Sequence, residues 1–210
     1  MRPQGLLLDY GGVLTTSESE SFAAFCRQTG VDPRRLSSLI ARAYTGVEPD
    51  GMIAELERGR VMEPEFERWL AAELSPGLEE PLDPIGLTAR LFARVRPDDR
   101  MLRAVRLARS TGIRAVLLSN SWGAGDDQRR QADLFDAILI SRDVGLRKPE
   151  QGIYVLAAER IGLPAKACLF VDDMADNVRG ARAAGMVALL HRAAETTIRR
   201  LETAFGVRLR

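Results

Sequence analysis

The 210-residue chain predicts a doubly wound, Rossmann-like α/β core with a five-stranded parallel sheet, and an all-α domain inserted after the first strand. Three observations point there. Five short runs rich in Leu, Val and Ile read as buried strands: Gly5–Asp9, Arg114–Ser119, Ala137–Ser141, Cys168–Asp172 and Met186–Leu190. From the second run onward, helical segments alternate with strands, which implies parallel pairing through right-handed crossovers. Between the first and second runs lie about eighty residues whose apolar positions recur at helical spacing.

In chain order, Gly5–Asp9 is a single apolar run closed by an acid and a glycine pair. The insertion then opens with Ser17–Arg27, whose Ser17 and Glu20 form a capping-box pattern. Pro33–Ala43 places Leu36, Leu39, Ile40 and Ala43 on one face, and Glu65–Leu74 places Phe66, Trp69, Leu70 and Leu74 on another. Ser75–Pro84 is a proline-rich loop, after which a helix over Pro84–Val95 returns the chain to the core. In the core, Arg100–Ser110 ends before Gly112, Pro149–Ile161 starts with proline at a first-turn position and stops at Gly162, and Ala175–Ala184 stops at Gly185. Residues 1–15 and 96–210 therefore form the expected core, and residues 16–95 the helical domain.

Composition narrows the function. A hydrophobic fraction of 46% and a charged fraction of 28% belong to a globular protein, and no stretch approaches the roughly 18 apolar residues of a membrane span. The run GLLLDY lacks the long apolar centre of a signal peptide, so a cytoplasmic location is expected. A net charge of +1 argues against a dedicated nucleic-acid surface. Cys26 and Cys168, without CxxC spacing, are expected to be reduced and partly buried. Only two of the 30 basic residues are lysines, Lys148 and Lys166, so a lysine at a special position suggests that a compact ammonium is wanted there. The composition leaves monomer and homodimer equally open.

Ligands of open α/β sheets bind beyond the carboxyl ends of the strands. Here those ends are polar: Asp9 after the first run, Ser119 and Asn120 after the second, Asp172 and Asp173 after the fourth, with Lys148 before a helix. Carboxylates brought close repel, and a divalent cation such as Mg²⁺, which takes hard oxygen ligands, relieves that repulsion. A carboxylate in such a site can attack phosphorus to form an acyl phosphate that water later hydrolyses. An ammonium and a hydroxyl would balance charge on the transferring oxygens. Taken singly, Ser119–Asn120 reads equally as turn chemistry, Lys148–Pro149 as loop, and Asp172–Asp173 as a helix cap with a surface acid. Trp122, Phe22, Phe25, Phe66 and Trp69 read as core or interface packing, and the single histidine, His191, as structural or exposed.

Together the runs LLLDYGGVL, LLSNSW, GLRKPE and LFVDDMADNVRGARAAGM resemble the four ordered motifs of the haloacid dehalogenase superfamily, in the subgroup with a helical cap after the first strand. The SNSW and DDMADN wording is similar to the phosphatase domain at the N-terminus of bifunctional epoxide hydrolases. The resemblance covers the whole chain. It implies a phosphatase for a small phosphorylated substrate, with Asp9 as nucleophile and metal ligand, Ser119 and Asn120 holding the phosphoryl group, and Lys148 balancing charge. It also implies Mg²⁺ held by Asp9, the Gly11 carbonyl, Asp173 and Asp172, with Asp173 the nearer contact. Asn177 would orient the acidic loop, and Gly12 would offer a backbone N–H to phosphate.

One position departs from that pattern. Phosphatases of the family carry a second aspartate two residues after the nucleophile, as acid to the leaving group and base to water, and this chain has Gly11 there. Such a group is worth about 100- to 10,000-fold in rate. Either the substrate has a good leaving group, or a proton donor comes from the cap or the substrate. Tyr10, Thr15, Thr16 and Glu18 are the nearby polar candidates. Two other functions fit the same gap: a 2-haloacid dehalogenase, which needs no metal and leaves Asp172–Asp173 unexplained, and a degenerate, non-catalytic binding protein.

Overall fold

Four- to six-residue runs of Leu, Val, Ala and Ile pair as five parallel strands: β1 (Gly5–Leu8), β2 (Arg114–Ser119), β3 (Ala137–Ile140), β4 (Cys168–Asp172) and β5 (Val187–Leu190). The computed structural model describes residues 2–44, 48, 50–123 and 131–210. The strand order is β3-β2-β1-β4-β5, so the first strand lies in the middle. Leu8 sits opposite both Leu117 and Val171, which brings the ends of β1, β2 and β4 to one rim. The order reverses beside β1, the kind of position where open sheets bind ligands.

The period of two along each strand sorts side chains to two faces. Leu6, Leu8, Leu117 and Val171 pack against helices α6 (Asp99–Ser110) and α10 (Ala194–Phe205). Leu7, Val116, Leu118 and Phe170 pack against α8 (Gln151–Arg160) and α9 (Ala175–Ala183) on the other face. Between β1 and α6, five helices, α1 (Glu18–Thr29), α2 (Pro33–Tyr44), α3 (Met52–Glu57), α4 (Glu63–Leu74) and α5 (Leu87–Leu91), surround their own apolar cluster. Phe25, Leu36, Leu39, Leu56, Phe66, Leu70 and Leu74 are buried in it. Each such side chain contributes about 1.5–3 kcal/mol by leaving water, so this cluster holds the five helices together. One further short helix, α7 (Ser141–Val144), follows β3.

The two chain segments linking this cluster to the sheet run side by side. Thr15 bridges Pro97, Thr16 N donates to Arg96 O at 2.7 Å, and Asp98 N donates to Leu14 O at 2.8 Å. That pairing returns the start of α1 to the rim above Asp9. Ser17 caps α1 through Ser19 N at 3.3 Å, one residue earlier than the box pattern requires, and Gly30 ends the helix at φ 78.

Several boundaries differ from the sequence reading. The helix expected over Pro84–Val95 contracts to Leu87–Leu91, because Gly86 enters it left-handed at φ 67 and Phe92 leaves helical geometry. The helix expected to start at Pro149 starts at Gln151, with Glu150 in extended backbone before it. Helices α3 and α10 were outside the sequence reading. Both cysteines are free and buried, His191 is buried against Thr197 Oγ1 at 3.0 Å, and no helix among the described residues is long and apolar enough to cross a membrane.

Helix α9 approaches the loop before α8 at Gly180, where an added Cβ would lie 2.4 Å from the carbonyl oxygen of Pro149. Alanine has the better helix propensity, yet here the backbone opposite must move. Gly180→Ala is therefore expected to destabilise the protein by about 1–3 kcal/mol in urea denaturation, as overpacking does. A stabilised variant would contradict this packing.

Candidate active site

Asp9, the residue after β1, is held against the neighbouring strand by its N–H, which donates to Val171 O at 3.0 Å. Its Oδ1 takes Tyr10 N at 2.7 Å and Lys148 Nζ at 2.6 Å. Lys148, buried to 1% exposure, also reaches Asp172 Oδ2 at 2.8 Å, so one ammonium joins the ends of β1 and β4. Asp172 is engaged on both oxygens: Oδ1 accepts from Met174 N at 2.8 Å, and Asn177 Nδ2 lies 3.1 and 3.0 Å from Oδ1 and Oδ2. Asn177 thus orients the acidic loop from the first turn of α9, and Tyr154 Oη fixes it in turn by donating to Asn177 O at 2.8 Å.

Asp173 instead lines the open cavity with Asp9, Gly11, Ser119, Asn120 and Lys148. Carboxylate oxygens of Asp9, Asp172 and Asp173 lie within 4.8 Å of one another. Burial, reinforced by Asp172 and Asp173, pushes the Asp9 carboxyl well above the usual carboxylate range despite Lys148. Burial and then Asp172 push Asp173 up to about 6. Burial alone would lower the Lys148 ammonium, but Asp172 and Asp9 hold it above its ordinary value. One ammonium among three carboxylates leaves net negative charge, and an oxygen-rich cluster of that kind fits a hard divalent cation. Asp172 carries more hydrogen bonds than its two neighbours, and each of the three acids has an oxygen within reach of one such ion.

The glycines make room. A Cβ on Gly12, at φ 67, would lie 2.3 Å from Asp173 Oδ2, and one on Gly11 would lie 1.9 Å from Glu18 Oε1. Glu18, the first residue of α1, is half-buried on the same cavity wall, where burial and then the Asp173 charge push its carboxyl up to about 8. The Gly12 N–H donates to Thr15 Oγ1 at 3.0 Å, so it is already engaged rather than held for a ligand. Ser119, 2% exposed, stands at the end of β2 with its Oγ 3.3 Å from Asn120 O.

Asn120 lines the cavity, but its side-chain amide is already engaged within the protein. Its Oδ1 accepts from Lys148 N at 2.9 Å, and its Nδ2 donates to Lys148 O at 3.0 Å and to Glu57 Oε2 at 3.1 Å. Glu57, fully buried at the end of α3, is a hub that the sequence reading missed. It also accepts from Trp122 Nε1 at 2.9 Å, from Arg147 Nε at 2.5 Å and from Tyr44 Oη. Trp122 packs edge-on against Phe66 and Phe92, at centroid distances of 5.4 and 5.9 Å. The α3 run MIAELE, at six residues, is too short to show a period, so no signal in the sequence sets Glu57 apart from the 28 other acids.

The cavity, about 400 Å³, has a polar floor of Asp9, Ser119, Lys148 and Asp173 and an apolar wall that includes Phe22, Ile40, Tyr44, Phe92 and Trp122. Phe22 and Trp122 thus face a ligand space as well as packing, while Phe25 and Phe66 are buried in the helical cluster and Trp69 packs against it. Removing Glu57 would leave the Arg147 guanidinium buried without its carboxylate. Glu57→Ala is expected to cost about 3–5 kcal/mol in chemical denaturation and to shift tryptophan emission as Trp122 loses its acceptor. A loss below about 1 kcal/mol, the range of a surface pair, would show that the hub does not join these elements.

A family profile described as haloacid dehalogenase-like hydrolase matches residues 3–185. A phosphatase of Mycobacterium tuberculosis is 38% identical over 131 residues, 60% of this chain and 59% of that protein. A sesquiterpene phosphatase of Aspergillus oryzae is 32% identical over 141 residues, 64% and 69% of the two chains. Bifunctional epoxide hydrolase 2 of Sus scrofa is 31% identical over 117 residues, which is 52% of this chain and 21% of that much longer protein. Among solved structures, a HAD family enzyme from Bacteroides thetaiotaomicron in complex with magnesium and inorganic phosphate superposes with a TM-score of 0.61 at 19% identity, over 91% of this chain and 95% of that one. A predicted HAD-like hydrolase of Porphyromonas gingivalis gives 0.67 at 21%, over 96% and 98%. With the profile spanning most of the chain and the acid-rich rim at the ends of β1 and β4, the chain belongs to the haloacid dehalogenase-like hydrolase family.

Proposed function

We propose that the protein is a Mg²⁺-dependent phosphatase for a small phosphate monoester whose organic part is apolar, working through an aspartyl-phosphate at Asp9. The observation that carries this reading is the floor of the cavity, where Asp9 lies 2.6 Å from a buried ammonium and shares a carboxylate cluster with Asp173. The relatives named as phosphatases, one of them a sesquiterpene phosphatase by name, support the substrate class.

Asp9, Asp173 and the Gly11 carbonyl would hold the ion, with Asp172 behind them. When bound, magnesium supplies positive charge to the phosphoryl oxygens and to the acidic cluster. Asp9 Oδ1 is held by Lys148 and Tyr10 N, which aims the carboxylate, while its Oδ2 accepts no hydrogen bond among the described residues. That carboxylate attacks phosphorus in line with the ester oxygen. Lys148, fixed by Asp172 and by the two backbone bonds of Asn120, balances charge on the transferring group without reorganising. Ser119 Oγ binds a phosphoryl oxygen, and any contact from Asn120 comes from its main chain. Residues 16–95 act as the cap and residues 1–15 and 96–210 as the core. The cap's Phe22, Ile40 and Phe92 take the organic group and exclude water.

The test is phosphate release from alkyl, prenyl and sugar phosphates with and without Mg²⁺. Wild type is expected to turn over the apolar esters faster, and Asp9→Asn to lose about a thousandfold or more. Equal release by the Asn variant, or chloride release from a 2-chloroacid without magnesium, would overturn the reading.

A further inference from the structure

Resting on the phosphatase reading, we propose that Glu18 supplies the proton to the leaving oxygen and then takes one from water, the work that a side chain at position 11 cannot do here. Its carboxylate stands where such a side chain would begin: Oε1 is 1.9 Å from the position of a Cβ on Gly11. It therefore comes to the cavity beside Asp9 from the opposite direction, from the first residue of α1 rather than from the loop after β1.

The glycine at 11 supports this. Gly12 needs its missing side chain for a left-handed φ of 67, whereas Gly11 is not among the glycines of positive φ. Backbone conformation therefore does not demand glycine at 11. What the missing side chain leaves open is the space into which the Glu18 carboxylate reaches, and a Cβ at 11 would push that carboxylate from its present position.

The other polar neighbours are committed elsewhere. Thr15 Oγ1 accepts from Gly12 N and donates to Thr16 O at 3.0 Å, and Thr16 Oγ1 accepts from Arg96 N at 3.1 Å. Tyr10 also lines the cavity, but its ring packs against the core cluster formed by Leu6, Leu8 and their neighbours. Among the described residues, no hydrogen bond or ion pair claims the Glu18 carboxylate. Its oxygens also lie outside the three-acid cluster of Asp9, Asp172 and Asp173. It is thus a carboxyl at the cavity wall with no hydrogen-bond or ion-pair partner among the described residues.

The balance is closed. As Asp9 bonds to phosphorus, the ester P–O bond breaks, and the leaving oxygen takes the Glu18 proton to depart as an alcohol. Water then attacks phosphorus and gives one proton to the Glu18 carboxylate. The Asp9–phosphorus bond breaks, releasing phosphate and restoring both side chains.

The experiment compares wild type, Glu18→Gln and the double variant Gly11→Asp/Glu18→Ala on an alkyl phosphate and on 2,4-dinitrophenyl phosphate, with Mg²⁺. Glu18→Gln is expected to lose about 100- to 10,000-fold on the alkyl ester. On the dinitrophenyl ester it keeps the rapid first release of dinitrophenolate, which needs no proton, and then stalls. The double variant, with an acid restored from the other side, is expected to recover part of the alkyl activity, and orthovanadate binding stays as in wild type. Alkyl turnover unchanged in Glu18→Gln would overturn the proposal. So would an equal loss in every phase and substrate, or a double variant no better than Glu18→Gln. Wild type inert toward all phosphates would overturn the phosphatase reading itself and the proposal with it.

Discussion

The buried ammonium of Lys148 is the interaction on which the site depends. At 2.6 Å from Asp9 and 2.8 Å from Asp172, it ties the ends of two adjacent strands whose acids would otherwise repel. A lysine without water needs such partners, and the carboxylates need it equally. Its surroundings exist largely to hold it. Asn120 clamps its backbone from β2, Gly180 lets α9 come up to Pro149, and Asn177 turns Asp172 toward it.

Because Asn120 and Arg147 both bind Glu57, the same clamp reaches into the helical cluster. The carboxylate of α3 collects donors from Tyr44 within its own cluster and from Trp122, Arg147 and Asn120 across the boundary. Position of the helices and position of Lys148 are thereby one problem, solved by one acid. A second link, Arg58 Nη2 to Glu150 Oε1 at 2.7 Å, runs beside it at the entrance to α8. Such buried networks favour one arrangement strongly, since each unpaired member would pay full desolvation.

Much of this was legible in the sequence. The five apolar runs became the five strands, shortened by a residue at most, because a buried parallel strand writes itself as a continuous run of Leu, Val and Ile. Strand ends point to Asp9, Ser119, Asp172 and Asp173, since the rim of such a sheet is set by topology, and the scarcity of lysine together with the motif order points to Lys148 in the loop before a helix. The rest depends on tertiary contact. That Asn120 serves Lys148 rather than a ligand, that Gly12 N–H is taken by Thr15, and that Glu57 organises the boundary all follow from which side chains meet across 28, 3 and 90 residues of chain. The helix expected over Pro84–Val95 is shorter because Gly86 enters it with left-handed backbone, which apolar spacing alone does not reveal. Gly11 is visible in the sequence as a gap and Glu18 as one of four polar residues near it, but which of the four reaches the gap is decided by the tertiary fold.

The account stands on a cluster of acids too crowded to be charged together unless a cation joins them. Asp9 and Asp173 within that cluster, and Glu18 outside it on the same cavity wall, have carboxyl groups raised by folding, Asp173 from 3.8 to about 6 and Glu18 from 4.5 to about 8. An acid of that kind stabilises the fold at low pH, and the contribution disappears as pH climbs through its folded value. His191, lowered by burial, acts in the opposite sense, but equally with and without metal. The direct measurement is thermal stability of the wild-type protein from about pH 4 to about pH 8, in EDTA and in Mg²⁺. Stabilisation by Mg²⁺ is predicted to grow steadily across that range as the carboxylates ionise; a gap that stays constant or closes as pH rises would contradict the account.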